Sequence, residues 1–209
     1  MRTAGYALVA PPPEPGPELV TGAFRALSDC AERYGSRLGL VGGVSLGAHV
    51  AARWAAGRAD LGGVLLVMPA WTGSPAVLAA ATAASADVVE RLGTAGALAA
   101  AGDAVPWVAA ELAAAWPGYG DGLAASLRAA AASAGPSPAE LAALTAPAGV
   151  VGLVDDPLHP YAVAQEWAAT LPYAALGRLG LAEVGSDRSV LGTAALAALA
   201  AAPTRPEPR

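Results

Sequence analysis

The 209-residue chain is long enough for one domain with a well-buried core and too short for two typical domains. Its net charge is −5 and its arginines are scattered, a pattern that argues against nucleic-acid binding. Hydrophobic residues make up 55% of the chain, but many are alanine, and no stretch offers the roughly 20 bulky apolar residues of a membrane-spanning helix. We therefore expect a cytoplasmic protein without membrane or nucleic-acid partners.

Residue usage narrows the chemistry further. All twelve basic residues are arginine, and lysine, isoleucine and asparagine are absent, a bias that indicates a GC-rich bacterial genome. The single cysteine excludes an internal disulfide and a cysteine metal cluster. The chain has two histidines, His49 and His159. We expect neither a metal ion nor a cofactor.

Strand and helix patterns alternate at the two ends of the chain. The strand segments are continuous apolar runs, which are typical of parallel strands covered on both faces. The predicted strands are residues 5–10, 37–44, 62–68 and 149–154, with a last one inside 174–184. The predicted helices at these ends are residues 18–34, 46–56, 161–171 and 189–201.

Between the two ends, residues 71–145 show helical periodicity throughout, broken by Gly and Pro. Because crossovers between parallel strands are right-handed, few arrangements remain. The pattern predicts an open parallel α/β sheet with a helical cap inserted after the strand that ends near Met68. We expect one domain over residues 1–202 and a disordered tail over 203–209.

A glycine-flanked serine, Gly43-Val44-Ser45-Leu46-Gly47, stands between a predicted strand and a predicted helix. This context is that of a nucleophile elbow, in which Gly43 and Gly47 keep neighbouring side chains away from the serine. A dinucleotide fingerprint starting at Gly42 fails because Val44 stands at its third position, and a P-loop needs a lysine. Another anion-binding turn and a purely structural turn remain as alternatives.

Three segments resemble the α/β-hydrolase superfamily: YALVAPPPEPG near the start, LVGGVSLGAHVA at the elbow and GLVDDPLHP further on. The resemblance covers nearly the whole chain from Gly5, and the cap is its least comparable part. It implies a three-layer open parallel sheet, here of about five strands. It also implies a Ser–Asp–His triad with an oxyanion hole, acting on a small-molecule acyl substrate such as an ester or thioester.

By this resemblance Ser45 matches the nucleophile, and the backbone N–H of Leu46 matches one oxyanion donor. The acid belongs to the loop that starts Asp155-Asp156. Asp156 is favoured over Asp155 because it stands four residues before Pro160, as in the D-P-x-x-P loop of the superfamily. Alternatively, either aspartate caps the helix that begins near Tyr161 or organises the turn.

The histidine departs from the superfamily pattern, in which it follows the last strand. Ser186 occupies that place here, and a serine cannot accept the proton of the nucleophile near neutral pH. His159 lies on the loop after the predicted strand 149–154, and it reaches Ser45 if that loop folds inward. Otherwise it is a loop residue that packs under the cap. His49, one helical turn after Ser45, is interpreted as a packing residue.

The front of the fold also departs from the superfamily, whose members begin with two or three further strands and a His-Gly-type loop. Only one predicted strand precedes the elbow, so the second oxyanion donor has no assigned residue. A reduced sheet and a mis-assigned start codon both explain this. Trp71, after the strand that ends near Met68, either lines the pocket or packs in the core or cap.

These features favour a small serine hydrolase of esterase or thioesterase type that acts through Ser45. The alternative is a catalytically impaired relative that serves as a ligand-binding or interaction module, in keeping with Ser186 and the absent oxyanion loop. A different α/β enzyme is a third reading.

Overall fold

The computed structural model of the chain describes residues 5–75, 77–101 and 105–204. Within these ranges one parallel sheet is formed by β1 (Leu40–Val44), β2 (Gly63–Val67), β3 (Ala148–Leu153) and β4 (Ala174–Leu179), in the order β1-β2-β3-β4. The helices are α1 (Leu19–Tyr34), α2 (Leu46–Ala55), α3 (Val77–Ala100), α4 (Pro106–Ala115), α5 (Leu123–Ala132), α6 (Pro138–Ala142), α7 (Tyr161–Thr170), α8 (Leu181–Ser186) and α9 (Ser189–Ala201). Short 3₁₀ turns occupy Gly35–Arg37 and Trp116–Gly122.

Helices cover both faces of the sheet, which confirms the predicted three-layer parallel α/β class. Every residue of β2 and β3 is buried. A Cβ on Gly149 would overlap α9, whereas a Cβ on Gly152 would lie 2.6 Å from Ala164 of α7. Residues 149 and 152 point to opposite faces because side chains alternate along a strand. The apolar runs of the two central strands are therefore explained by helices on both sides.

The predicted first strand is wrong. Residues 5–10 have no regular structure, and Tyr6, Leu8 and Val9 are 39%, 67% and 49% exposed. The described part of the sheet accordingly has four strands instead of about five, and β1 is one of its edges. An apolar run forms a strand only where a neighbouring strand pairs with its backbone hydrogen-bonding groups. Among the described residues β1 pairs only with β2, so residues 5–10 have no such partner there.

The chain divides into two compact units. The first consists of residues 1–11, 26–74 and 134–209 and contains the sheet; the second consists of residues 12–25 and 75–133. The predicted cap, 71–145, overlaps the second unit over 75–133, while 134–145 belong to the first. The predicted disordered tail lies outside the described residues from position 205 onward.

The second unit has its own small apolar core, formed by Val89, Ala97 and Leu123 with Trp116 and Tyr119 packed against it. Its helix α3 is broken at Gly93, where φ is 68°. None of the helices in the described parts of the chain is long and apolar enough to cross a bilayer.

The crossing of β1 and α2 depends on Gly43. A Cβ at this position would overlap the backbone of Gly47 in the first turn of α2. A Cβ on Gly47 itself would meet nothing within 4 Å. The two glycines of the elbow therefore differ: the first is required for close approach, and the second borders open space.

We expect Gly43→Ala to lower the free energy of unfolding by more than about 2 kcal/mol, since the added methyl group must displace helix backbone. Gly47→Ala is the matched control and should stay within about 1 kcal/mol of the unchanged protein, because alanine favours helix. Urea unfolding followed by circular dichroism measures both. Equal losses in the two variants would contradict this account of the crossing.

Candidate functional site

Ser45 follows the last residue of β1 and begins a sharp turn into α2. Its backbone has φ 54° and ψ −118°, a conformation that costs a residue with a side chain on the order of 1–3 kcal/mol. The Ser45 N–H donates to the carbonyl of Val67 at 2.9 Å, and the Ser45 carbonyl accepts from the N–H groups of Ala48 and His49. The strained residue is thus held on one side by β2 and on the other by the first turn of the helix.

Leu46 is the first residue of α2. The first N–H groups of a helix have no partner within it, and they carry the positive end of the helix dipole. Negative charge that develops next to the Ser45 side chain would therefore lie at a favourable end of α2. This is the position that the sequence assigned to one oxyanion donor.

His159 bridges Ser45 and Asp156. Its Nδ1 lies 2.8 Å from Asp156 Oδ2, and its Nε2 lies 2.8 Å from Ser45 Oγ. An ionised carboxylate can only accept, so Nδ1–H donates to Asp156 and the neutral ring accepts the Ser45 hydroxyl proton at Nε2. The side chains of His159 and Asp156 are 14% and 7% exposed. Three residues on two separate segments thus form one hydrogen-bonded chain.

The Asp156 carboxylate is held in its charged form by the loop around it. Burial alone would raise the pKa of Asp156, but hydrogen bonds from the His159 side chain and the Leu158 backbone, with the charge of His159, bring the pKa below its ordinary value. The Leu158 N–H donates to Asp156 Oδ1 at 2.8 Å, a local turn that orients the carboxylate. At neutral pH this group is an anion aimed at the imidazole.

Asp155, the other acid candidate, has a different partner. Its Oδ1 accepts the N–H of Leu181 at 2.7 Å, which attaches the loop after β3 to the start of α8. Ser186, which the sequence placed at the position of the superfamily histidine, lies at the end of α8 and donates to the carbonyl of Ala182 at 2.9 Å. The structure therefore brings Asp156 and His159 to Ser45 and places Asp155 on a structural contact.

His49 is buried, 1% exposed. Its Nε2 accepts hydrogen bonds from the backbone N–H groups of Ala70 at 3.0 Å and Trp71 at 3.4 Å. Burial, with smaller contributions from the charges of His159 and Arg53, lowers the pKa of His49 to about 4. The imidazole is neutral at physiological pH, and Nε2 is free to accept.

Trp71 is 6% exposed, and its ring packs edge-on against His49 with the centroids 4.6 Å apart. Its role in lining a pocket stays a prediction. No group of three or more metal-ligating His, Cys, Asp or Glu side chains lies together in the described residues.

The sequence named the members of this hydrogen-bonded chain but assigned the base position to Ser186 and left His159 open. One signal was present in the sequence: Asp156 and His159 are three residues apart in a loop that Pro157 and Pro160 constrain. A carboxylate and an imidazole at that spacing can bond within one turn. Whether the turn then faces Ser45 depends on the register of β1, β2 and β3.

Several solved structures share this architecture. A thermophilic esterase from Thermogutta terrifontis is 19% identical, with a TM-score of 0.61, over 89% of this chain and 72% of its own. An enol-lactonase from Burkholderia xenovorans is 16% identical, with a TM-score of 0.65, over 90% and 75%. An α/β hydrolase from a deep-sea metagenome library of the Medee basin is 16% identical, with a TM-score of 0.68, over 90% and 74%. No protein-family model and no curated protein matches the chain.

The chain has the α/β-hydrolase fold. The resemblance deduced from the elbow and the acid loop is thereby confirmed at the level of the fold. In this α/β-hydrolase-fold protein Ser45 is hydrogen-bonded to the end of β2, through Val67, and to the loop after β3, through His159.

We expect acid to destabilise the protein through His49. Its pKa falls from 6.5 in the unfolded chain to about 4 in the folded one, so the unfolded state binds more protons between these values. The contribution of His49 to the free energy of unfolding is complete at pH 7 and decreases by about 2 kcal/mol as the pH falls to 5. His49→Gln cannot titrate and should lack this part of the decrease. Urea unfolding of both proteins at pH 7 and pH 5 measures it, and parallel decreases would contradict the assignment.

Proposed function

We propose that the protein is a serine hydrolase that cleaves small ester or thioester substrates, with Ser45 as nucleophile, His159 as general base and Asp156 as the acid that orients it. The observation that supports this most is the continuous chain from Asp156 through His159 to Ser45, with 2.8 Å at each step. A serine within hydrogen-bond reach of a base that is itself oriented by a carboxylate is the arrangement of an activated nucleophile.

The proposed acylation half-reaction begins when Ser45 Oγ attacks the carbonyl carbon and His159 Nε2 takes the hydroxyl proton. The carbonyl oxygen becomes an oxyanion, to which the N–H of Leu46 at the start of α2 donates. When the tetrahedral intermediate collapses, the bond to the alcohol or thiol breaks, and His159 returns the proton to the leaving group. The product is an acyl ester on Ser45.

The proposed deacylation half-reaction uses the same groups with water. His159 takes a proton from the water as its oxygen attacks the acyl carbon, and the second collapse returns the proton to Ser45 Oγ. The acyl group leaves as a carboxylic acid. Asp156 stays ionised throughout, and its lowered pKa favours this, since its charge stabilises the imidazolium formed in each half-reaction.

The substrate class rests on the nucleophile and on the neighbours. An oxygen nucleophile with an imidazole base suits acyl carbons, and two of the similar structures are described as an esterase and an enol-lactonase. We expect slow turnover, because no residue of this sequence is assigned as the second oxyanion donor. Absence of one oxyanion donor typically lowers the rate by 10²–10³-fold.

Labelling by a fluorophosphonate tests the nucleophile directly. We expect the unchanged protein to be labelled and Ser45→Ala not to be. Turnover of p-nitrophenyl acetate should fall by about 10⁴–10⁶-fold in His159→Ala. In Asp156→Asn it should fall by about 10⁴-fold, because the amide can favour the wrong tautomer of the imidazole.

Asp155→Asn is the matched control for Asp156→Asn. It makes the same chemical change on the neighbouring residue and keeps an oxygen that can accept from Leu181. Its turnover should remain within a few-fold of the unchanged protein. Folded protein that is neither labelled nor active would overturn the proposal and favour a ligand-binding or interaction module.

A second prediction concerns the position after the last strand. If His159 is the base, Ser186→His should leave turnover unchanged, since the site already holds an imidazole. In the His159→Ala background, added Ser186→His should not restore turnover, because the Ser186 side chain lies on α8 and bonds to its own helix. Turnover assays of the single and double variants measure this. A tenfold or greater gain in either would show that the base position after β4 is still functional.

A further inference from the structure

We propose that His49 is a positioning residue of this site: its Nε2 acceptor holds the turn after β2 in the conformation that keeps Ser45 and His159 aligned. The inference rests on the proposed function. His49 touches neither the nucleophile side chain nor the substrate in this role. It acts through the backbone of residues 68–71.

The turn after β2 lies between the two halves of the site. β2 pairs with β1 on one side and with β3 on the other. Its last carbonyl, on Val67, accepts the N–H of Ser45 at 2.9 Å, and the next residue, Met68, donates to Val151 at 2.7 Å. A displacement of this turn therefore acts on the backbone of the nucleophile and on the strand that leads into the acid–base loop.

The turn is also strained. Met68 has φ 53°, and apart from Ser45 it is the one residue with a side chain that has a positive φ in the described residues. Such a conformation costs on the order of 1–3 kcal/mol and persists only where the surroundings enforce it. Met68 is buried, 6% exposed, so water does not stabilise the turn. Contacts within the protein must hold it, and the bond from Met68 to Val151 is one of them.

His49 provides a second contact. Its Nε2 accepts from two successive backbone N–H groups, those of Ala70 and Trp71, just after the strained residue. Without the acceptor, two buried donors would be left unsatisfied, at about 1–3 kcal/mol each, and the turn would rearrange to find partners. His49 itself stands on α2, one turn from Ser45, so the nucleophile helix and the turn are joined directly.

The other ring nitrogen supports the same conclusion. Nδ1 of His49 is buried and has no hydrogen-bond partner in the described residues. An apolar side chain of similar size would fill the space without this unsatisfied donor. The imidazole therefore contributes through its Nε2 acceptor, which an apolar side chain cannot replace.

Packing extends the link to the segment that carries His159. The His49 ring lies 5.4 Å from the ring of Trp167, and Trp167 Nε1 donates to Thr72 Oγ1 at 3.0 Å. Trp167 is fully buried on α7, the helix that begins two residues after His159. The imidazole of His49 thus stands between the helix that follows the nucleophile and the helix that follows the base.

The test compares His49→Leu with His49→Gln. Leucine fills space without an acceptor, whereas the glutamine Oε1 can occupy the place of Nε2. We expect His49→Leu to lower kcat by about 10²-fold with KM changed less than threefold, since an error of about 1 Å in alignment has that effect. His49→Gln should stay within about fivefold of the unchanged kcat. If His49→Leu does not fold, His49→Asn replaces it in the test, because the asparagine side chain is too short for its oxygen to reach the turn.

Leu144→Ala is the control for a general loss of stability. Leu144 is fully buried and stands before β3, at the edge of the sheet opposite to Ser45. It should lower the unfolding midpoint and leave kcat unchanged. Equal kcat losses in the leucine and glutamine variants, or a similar loss in Leu144→Ala, would overturn the proposal.

A second readout does not depend on turnover. The chain has two histidines, so each His49 variant contains one imidazole, that of His159. Nitrogen NMR reports its tautomer and its bond to Asp156. We expect the His159 signals to be unchanged in His49→Gln and altered in His49→Leu. Identical signals in both variants would refute the positioning role. If the unchanged protein shows no turnover, the proposed function fails and these signals alone decide the role of His49.

Discussion

The left-handed backbone of Ser45 is the constraint on which the rest of the site depends. It requires a strand that ends in a sharp turn and a neighbouring strand that holds this turn by a hydrogen bond. It also requires a glycine where the following helix crosses the strand, since a Cβ there would overlap the helix backbone. Gly43 permits the crossing, and the carbonyl of Val67 holds the Ser45 N–H. With these in place the hydroxyl projects beyond the carboxyl edge of the sheet. The parallel order of the strands then brings the loop after β3 to the same edge.

Two of the three residues of the hydrogen-bonded series come from one turn. Asp156 and His159 are three residues apart, so a single loop determines the distance between carboxylate and imidazole, and only the approach to Ser45 depends on the sheet. The connection after β4 therefore contributes no residue to the hydrogen bonds that link Asp156, His159 and Ser45. There the protein forms the short helix α8, attached to the acid loop through Asp155. The two neighbouring aspartates thus have different contacts. Asp156 orients the imidazole, and Asp155 attaches the loop after β3 to the start of α8.

The two histidines show how environment separates identical side chains. His159 has a carboxylate on one ring nitrogen and a hydroxyl on the other, and it remains 14% exposed. His49 lies among Trp71, Trp167 and backbone N–H groups, all without negative charge, and burial lowers its pKa to about 4. The first arrangement holds the imidazole between a carboxylate and a hydroxyl. The second keeps an imidazole neutral, so that it serves as a fixed acceptor beneath the site.

The sequence alone determined the parallel α/β class, the positions of its central strands and the elbow at Ser45, because these follow from apolar runs, helical spacing and the glycines around one serine. It predicted a strand at residues 5–10 that does not form, since a strand also needs a partner, which local sequence does not show. It predicted that Ser186 occupies the position of the superfamily histidine, because Ser186 follows the last predicted strand. Only the tertiary structure decided that His159 meets Ser45, because that distance joins residues 114 apart through the register of three strands. The acceptor role of His49 likewise depends on a turn 21 residues further along the chain.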